Sequence, residues 1–425
     1  MRIKGQFESQ SLMLITAAMV GHVGNYAYHM ITGRLLSATE YGLLMALFGM
    51  INILLIPMSA LGLALTRAVS VDLHQQKGQG LPALTRKWAK GMSLTALGFL
   101  ILAWIFAQPL QSALGFNRLA PILLAACIPG FNLLLTLCGA LLQGLQQFKG
   151  LALRGSMLFV LRALLVSACL LLGWKAAGWA LLAHLLGMLG AFAVGVWFLW
   201  SKLPTTSTAP SPPTSPILFQ ALKAFPILLA FSTLMTADVI LARSYFDPDL
   251  SGRFAQAATL GRMILWLPLP IAQVLFPKVV REGEASPAQR KTLRKAMGYT
   301  LSMVLAASAL AWIFAPLALR IVFGITDAPA TQIFWLRGVA LAMAPLGPVY
   351  LLMQYELARG KIQRMLPLWF LAPAFLIASI FLHESPAQLI YLLMGINGLA
   401  LLSCLPQLFT EQRDLPGKST RNKAP

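Results

Sequence analysis

The chain has 425 residues, of which 58% are hydrophobic and only 11% are charged. Soluble domains usually carry about 25% charged residues, so this composition excludes a protein that exposes its whole surface to water. The net charge of +20 would favour nucleic-acid binding in a soluble protein. Here, however, apolar runs reach the roughly 20 residues that cross a bilayer, so we expect a membrane protein without a nucleic-acid partner.

Twelve apolar segments in succession predict an all-α polytopic membrane protein. Lys and Arg collect in alternate connections between these segments, and this asymmetry predicts that both termini are cytoplasmic. The first segment lacks the short apolar core and small-residue cleavage site of a signal peptide, so we expect a retained helix. The predicted spans are 11–33, 41–65, 92–115, 120–143, 151–172, 176–200, 217–243, 253–276, 297–322, 329–355, 366–382 and 387–409.

A segment rich in Pro, Ser and Thr, residues 201–216, divides the chain near its middle. Such a composition has little apolar surface to bury and is typical of a linker. We therefore predict an N-terminal six-helix bundle over 1–200 and a C-terminal six-helix bundle over 217–410. A basic cytoplasmic tail, residues 411–425, follows the second bundle.

The second half of the chain repeats features of the first at a nearly constant offset. Ala-Trp-Ile-Phe-Ala occurs at 103–107 and again at 311–315. Because each half has an even number of spans, both halves enter the membrane in the same direction, as in transporters that rock two bundles about a central site. The other repeated pairs are Arg34 with Arg243, Gly42 with Gly252, Gly150 with Gly360, and Arg86-Lys87 with Arg294-Lys295.

The first loop and the second span resemble polysaccharide-export members of the multidrug/oligosaccharidyl-lipid/polysaccharide exporter superfamily, in its O-antigen flippase branch. The matching residues are Arg34, Glu40, Tyr41 and Gly42 around the loop, and Gly62, Thr66 and Arg67 near the end of the span. The resemblance implies two V-shaped bundles around a central cavity in the bacterial cytoplasmic membrane. It also implies a substrate that is a lipid-linked sugar or, in the sister branch, an organic cation.

The loop motif itself is structural in kind. We expect the carboxylate of Glu40 to pair with Arg34 across the turn. Gly42 has no side chain, so the second span can begin close to a neighbouring helix.

Charged residues within the predicted spans are mainly basic. Arg162, Arg262 and Arg337 lie in the fifth, eighth and tenth spans, and Asp238 lies in the seventh. A charge at mid-membrane costs about 2.5–3.5 kcal/mol, so it usually faces a cavity or a partner. Guanidinium groups bind phosphate through parallel hydrogen bonds. The excess of arginine therefore favours an anionic substrate, a polyprenyl-pyrophosphate-linked glycan, although structural pairing is the alternative for each arginine.

Asp238 has two interpretations from sequence. It is a proton- or sodium-coupling site, or it is the structural partner of Arg262 or Arg243.

The first span carries a polar stripe. His22, Asn25, Tyr26 and His29 are spaced by three, four and seven residues and share one helix face. Such a stripe can face the cavity and bind sugar, or it can form interhelical hydrogen bonds worth about 0.6 kcal/mol each. We expect His184 in the sixth span to be a packed, neutral histidine.

These patterns predict a secondary transporter, a flippase that works by alternating access, and not an enzyme. The connections are short and poor in carboxylates, and we predict no catalytic residue, metal site or cofactor. Two alternatives stay open: a cation-coupled multidrug exporter of the same superfamily, and a non-transporting scaffold in a polysaccharide-synthesis complex. We expect a monomer, and docking of glycan-synthesis enzymes on the basic loops is left open.

Overall fold

The computed structural model of the protein describes residues 2–75, 78–115, 118–200, 202, 213–266, 287–359 and 361–408. Within these ranges the chain forms helices joined by short connections, and no strand is present. Ten helical stretches in the same ranges are long and apolar enough to cross a membrane. The predicted all-α, polytopic membrane fold is confirmed.

The described residues of the N-terminal half form seven helices, which correspond to the first six predicted spans. The third span is divided at Phe106. Gly115, in a left-handed conformation with φ of 64°, ends this span as glycine commonly ends a helix. The helices are α1 (Arg2–Leu35), α2 (Ala38–Gln75), α3 (Leu81–Ile105), α4 (Ala107–Leu114), α5 (Ala120–Gly144), α6 (Phe148–Leu171) and α7 (Ala177–Trp200).

The described residues of the C-terminal half form seven further α-helices. The tenth predicted span is divided before Leu346, because Pro345 lacks the amide hydrogen that a continuous helix needs. Only residues up to 266 of the eighth predicted span are described, and its remainder lies outside the described residues. The helices are α8 (Thr214–Tyr245), α9 (Pro248–Arg262), α10 (Pro287–Phe323), α11 (Ala330–Met343), α12 (Leu346–Ala358), α13 (Pro367–Phe381) and α14 (Pro386–Cys404).

Of the predicted linker, 201–216, only residue 202 and residues 213–216 are described, and α8 already begins at Thr214. The predicted tail, 411–425, lies outside the described residues. The linker and tail assignments stay predictions.

The same pairs of helices pack together in both halves. In the N-terminal half α1 packs on α6, α6 on α7, α5 on α7 and α3 on α5. The corresponding pairs of the C-terminal half, α8 with α13, α13 with α14, α11 with α14 and α10 with α11, are also in contact. This agreement supports the internal repeat inferred from sequence.

The two halves meet mainly where α2 packs against α8 and α9. Helices α2 and α8 are largely buried, whereas few side chains are buried in the membrane-spanning parts of α3 and α10. The turn between α1 and α2 lies at one end of this interface, together with the ends of α4, α8 and α10. We call this end the outer face, following the predicted topology. The opposite end carries the basic connections.

Candidate substrate cavity

A cavity of about 370 Å³ lies between the two halves. Its walls come from α1, α2, α5, α6 and α7 on one side and from α8 and α9 on the other. Polar side chains lie among the apolar ones. The polar and charged lining residues in the described ranges are His22, Asn25, Tyr26, His29, Asn52, Asn132, Arg162, His184, Thr236, Thr259 and Arg262.

Arg162 of α6 is 4% exposed and is held by neutral groups. Its guanidinium donates hydrogen bonds to Oδ1 of Asn25 in α1 and to Nδ1 of His184 in α7, the latter at 2.7 Å. Because arginine has no acceptor, His184 must accept through Nδ1 and is therefore a neutral histidine. The guanidinium carbon also lies 4.3 Å from the ring centroid of Tyr28 and 5.0 Å from that of Phe159.

The charge of Arg162 has no carboxylate partner within 4.0 Å among the described residues. Its Nε atom is buried without a hydrogen-bond partner in the same part of the chain. A buried cation surrounded by neutral dipoles is costly unless a counter-ion is supplied. The cavity next to Arg162 therefore offers a place for an anion.

Two glycines allow α1 and α7 to approach α6 closely at this position. A Cβ on Gly24 would lie 2.9 Å from the carbonyl carbon of Phe159, and a Cβ on Gly187 would lie 2.8 Å from the carbonyl oxygen of Leu158. These approaches bring the partners of Arg162 on both helices within hydrogen-bonding distance.

Arg262 of α9 lines the cavity from the C-terminal half and forms an ion pair with Asp238 of α8 at 2.5 Å. Asp238 is 1% exposed and Arg262 13% exposed. Of the two interpretations of Asp238, this geometry matches the structural pair with Arg262. Asp238 therefore neutralises the positive charge of Arg262, whereas the charge of Arg162, across the cavity, has no carboxylate partner among the described residues.

The polar stripe of α1 faces the cavity: His22, Asn25, Tyr26 and His29 all line it. Nδ1 of His29 is buried without a hydrogen-bond partner among the described residues. The structure thus brings together five of the six residues predicted to bind substrate. Their role in binding stays a prediction.

Arg337, the sixth residue, lies elsewhere. Its Nε donates to the carbonyl of Trp312 at 2.8 Å, and its guanidinium carbon lies 5.0 Å from the Trp312 ring. Leu336, Val339 and Met343 are among the buried residues of α11. Arg337 is directed instead toward α10, so we do not include it in the candidate site.

The loop motif makes contacts different from those expected. The predicted Arg34–Glu40 pair does not form. Glu40 instead accepts a hydrogen bond from the backbone N–H of Ala177 at 2.6 Å, at the first residue of α7, where a carboxylate is favourable. Gly42 does allow a close approach, and its neighbour is Gly252 of α9.

Sequence reasoning missed Asn52 of α2 and Asn132 of α5, which both line the cavity. A polar amide in the middle of an apolar span was the available signal. Asn25 is also a polar amide within an apolar span, but it was identified from sequence because two histidines share its helix face.

The family model described as polysaccharide biosynthesis protein matches residues 9–282 of the chain. No curated protein has significant sequence similarity to this chain.

Solved structures of the MOP superfamily share the fold. An inward-facing multidrug resistance MATE family transporter aligns with a TM-score of 0.73 and 13% identity, covering 95% of this chain and 99% of that one. The lipid II flippase MurJ, in an inward closed conformation, aligns with a TM-score of 0.71 and 12% identity, covering 93% and 87%. A MOP superfamily transporter from Pyrococcus furiosus, described as having a binding pocket of reverse polarity, aligns with a TM-score of 0.64 and 14% identity, covering 95% of both chains.

Proposed function

The chain belongs to the polysaccharide biosynthesis protein family, and we propose that it is a flippase for a lipid-linked oligosaccharide or polysaccharide precursor. It is a multi-pass membrane transporter with the fold of the MOP superfamily. We place it in the bacterial cytoplasmic membrane with both termini inside. The substrate would pass from the cytoplasmic to the outer leaflet by alternating access around the central cavity.

The uncompensated charge of Arg162 is the observation that carries this proposal. A pyrophosphate group brings negative charge and several acceptor oxygens, and a guanidinium can bind it through two parallel hydrogen bonds. The Nε of Arg162 and the Nε of Arg262 are both free of partners among the described residues. The two arginines could therefore hold one anionic head group from opposite walls.

Neutral polar groups in the same cavity suit the glycan. Asn25, Asn52 and Asn132 offer amide donors and acceptors, and His22 and His29 add ring nitrogens. Sugar hydroxyls both donate and accept, so mixed neutral groups can bind them. A polyprenyl chain would stay in the hydrocarbon beside the protein.

The alternative of a cation exporter is less well supported. Binding an organic cation in a buried site calls for a carboxylate that is free to pair with it. No Asp or Glu occurs among the described residues that line the cavity, and Asp238 is already paired with Arg262. A scaffold, in turn, would have no need of a polar cavity between its halves.

Transport by purified protein tests the proposal. Proteoliposomes would be supplied on one side with a fluorescent polyprenyl-pyrophosphate oligosaccharide, and in parallel experiments with a lipophilic cationic dye. We expect the anionic lipid to change leaflets and the dye to remain where it was added. Dye transport without flipping of the glycolipid would identify a cation exporter, and the absence of both would favour the scaffold.

A further inference from the structure

At the outer face, the last turn of α1 is joined to the other half of the protein. Nε of Arg34 donates to the carbonyl of Val322 at 3.3 Å, and its Nη2 donates to the carbonyl of Ile321. Both acceptors belong to the last turn of α10. The final carbonyls of a helix lack partners within the helix and carry partial negative charge, so a guanidinium is a suitable cap.

Arg243 makes the corresponding contact in the opposite direction. It lies in the last turn of α8, and its Nε donates to the carbonyl of Leu114 at 2.8 Å. Its Nη2 donates to the carbonyl of Gly115 at 3.5 Å. These acceptors end α4, in the N-terminal half. Each half therefore supplies an arginine to a helix end of the other half.

The two contacts are related by the internal repeat. Arg34 and Arg243 are separated by 209 positions, 243 minus 34, and the helix ends they cap both follow an Ala-Trp-Ile-Phe-Ala sequence. The repeat thus preserves both the donor and the acceptor. Two arginines placed by chance would not both cap corresponding helix ends of the opposite half.

Between these contacts the starts of α2 and α9 touch through two glycines that are also related by the repeat. A Cβ on Gly42 would lie 2.7 Å from Cα of Gly252, and a Cβ on Gly252 would lie 1.9 Å from the carbonyl oxygen of Ala38. Gly33 is similarly close to the ring of Phe323. The outer ends of the halves are therefore in backbone contact.

We propose that Arg34 and Arg243 form a reciprocal latch that holds the outer face closed and opens when substrate leaves toward the outer leaflet. The proposal rests on the alternating-access function above. Separation of the halves breaks both contacts together, because each crosses the interface. The released carbonyls lie at helix ends near the membrane surface, where water can replace the arginines.

Arg243 differs from Arg34 in having partners within its own half. Its Nη1 donates to the carbonyl of Pro248 at 3.2 Å and to Oγ of Ser251 at 3.4 Å. These contacts can persist while the halves separate. Arg243 would thereby stay oriented for the next closure, whereas the exposed Arg34 would be free to move.

The distance across the outer face tests the latch without any need for substrate. Nitroxide labels at Lys175→Cys and Ala330→Cys, exposed positions of the two halves, would report it by pulsed electron spin resonance after the native cysteines are replaced by Ala. We expect one short distance in the parent protein and a new, longer population in Arg34→Ala and in Arg34→Ala/Arg243→Ala. Arg337→Ala is the matched control and should leave the distribution unchanged.

One further variant separates the loss of the latch from misfolding of the protein. Arg34→Lys retains a donor and should recover much of the short-distance population. Because Arg243 is buried, its loss could prevent folding, so Arg34→Ala alone decides the question. An unchanged distance distribution in correctly folded Arg34→Ala protein overturns the latch. If the distances change as expected but no lipid-linked glycan is flipped by the parent protein, the proposed function fails and the latch stands.

Discussion

His184 accepts a hydrogen bond from the buried guanidinium of Arg162 through Nδ1, at 2.7 Å. The contact joins α7 to α6 and fixes both the neutral state of the histidine and the direction of the arginine. Asn25 holds the same guanidinium from α1. Three helices of one half therefore position the charge that we propose binds the substrate.

Replacing His184 tests this positioning. A hydrogen bond to a charged group contributes about 1.5 kcal/mol or more, so His184→Ala should reduce flipping by roughly tenfold. His184→Gln offers a carbonyl acceptor and should retain more activity. The measurement is the initial flipping rate in proteoliposomes at equal protein content. Equal rates for the parent and His184→Ala would show that the contact does not position Arg162 for transport.

The ion pair of Asp238 and Arg262 should contribute to stability. Asp238→Asn leaves a largely buried arginine without its counter-ion. Breaking a buried ion pair in this way destabilises a protein by about 3 kcal/mol or more. We expect a lower midpoint of thermal unfolding in detergent. Asp238→Asn/Arg262→Gln removes both charges and should recover most of the loss.

The same variant addresses the ion-coupling interpretation of Asp238. If Asp238→Asn unfolds at the parent temperature but flipping no longer responds to an imposed proton or sodium gradient, Asp238 is a coupling site and its pairing is not mainly structural.

The close contact at Gly252 predicts that a single methyl group disturbs the outer face. Gly252→Ala would place Cβ 1.9 Å from the carbonyl oxygen of Ala38. Within a helix, alanine is normally more stabilising than glycine by about 1 kcal/mol. Any decrease in the stability of Gly252→Ala protein must therefore come from the contact with Ala38. We expect Gly252→Ala to lower the unfolding midpoint and to lengthen the labelled outer-face distance.

Gly98→Ala in α3 is the control, because nothing lies within 4 Å of the added carbon. It should unfold at the parent temperature or slightly above. The contact argument would be contradicted if Gly252→Ala behaved in the same way as Gly98→Ala.

Hydrophobicity and charge asymmetry predicted the helical membrane fold because crossing a bilayer constrains every span in the same way. Sequence matches predicted the repeat, and the packing of α1 on α6 and of α8 on α13 agrees with it. The breaks at Phe106 and Pro345 concern the course of single spans. The position of such a break depends on how neighbouring helices form hydrogen bonds with the backbone groups that the break leaves without a partner.

The sequence indicates six of the eleven described polar residues that line the cavity, His22, Asn25, Tyr26, His29, Arg162 and Arg262, but it could not give the direction of every side chain. Arg162 and Arg337 look alike as single arginines in apolar spans, yet only Arg162 lies on a helix face turned to the interface between the halves. The sequence predicts that Arg34 pairs with Glu40, six residues away, whereas its partner Ile321 lies 287 residues away. Proximity along the chain was a poor guide because the acceptor is a backbone carbonyl, which no residue type reveals.

Comparison of Arg162 with Arg337 tests the central claim most directly. Both are intramembrane arginines, but only Arg162 borders the cavity without a carboxylate partner. The measurement is the flipping rate of a polyprenyl-pyrophosphate oligosaccharide by Arg162→Ala, Arg162→Lys and Arg337→Ala protein in liposomes. We predict a loss of at least tenfold for Arg162→Ala, a smaller loss for Arg162→Lys, and the parent rate for Arg337→Ala. Parent rates for Arg162→Ala, or equal losses for Arg162→Ala and Arg337→Ala, would contradict an anion site at Arg162.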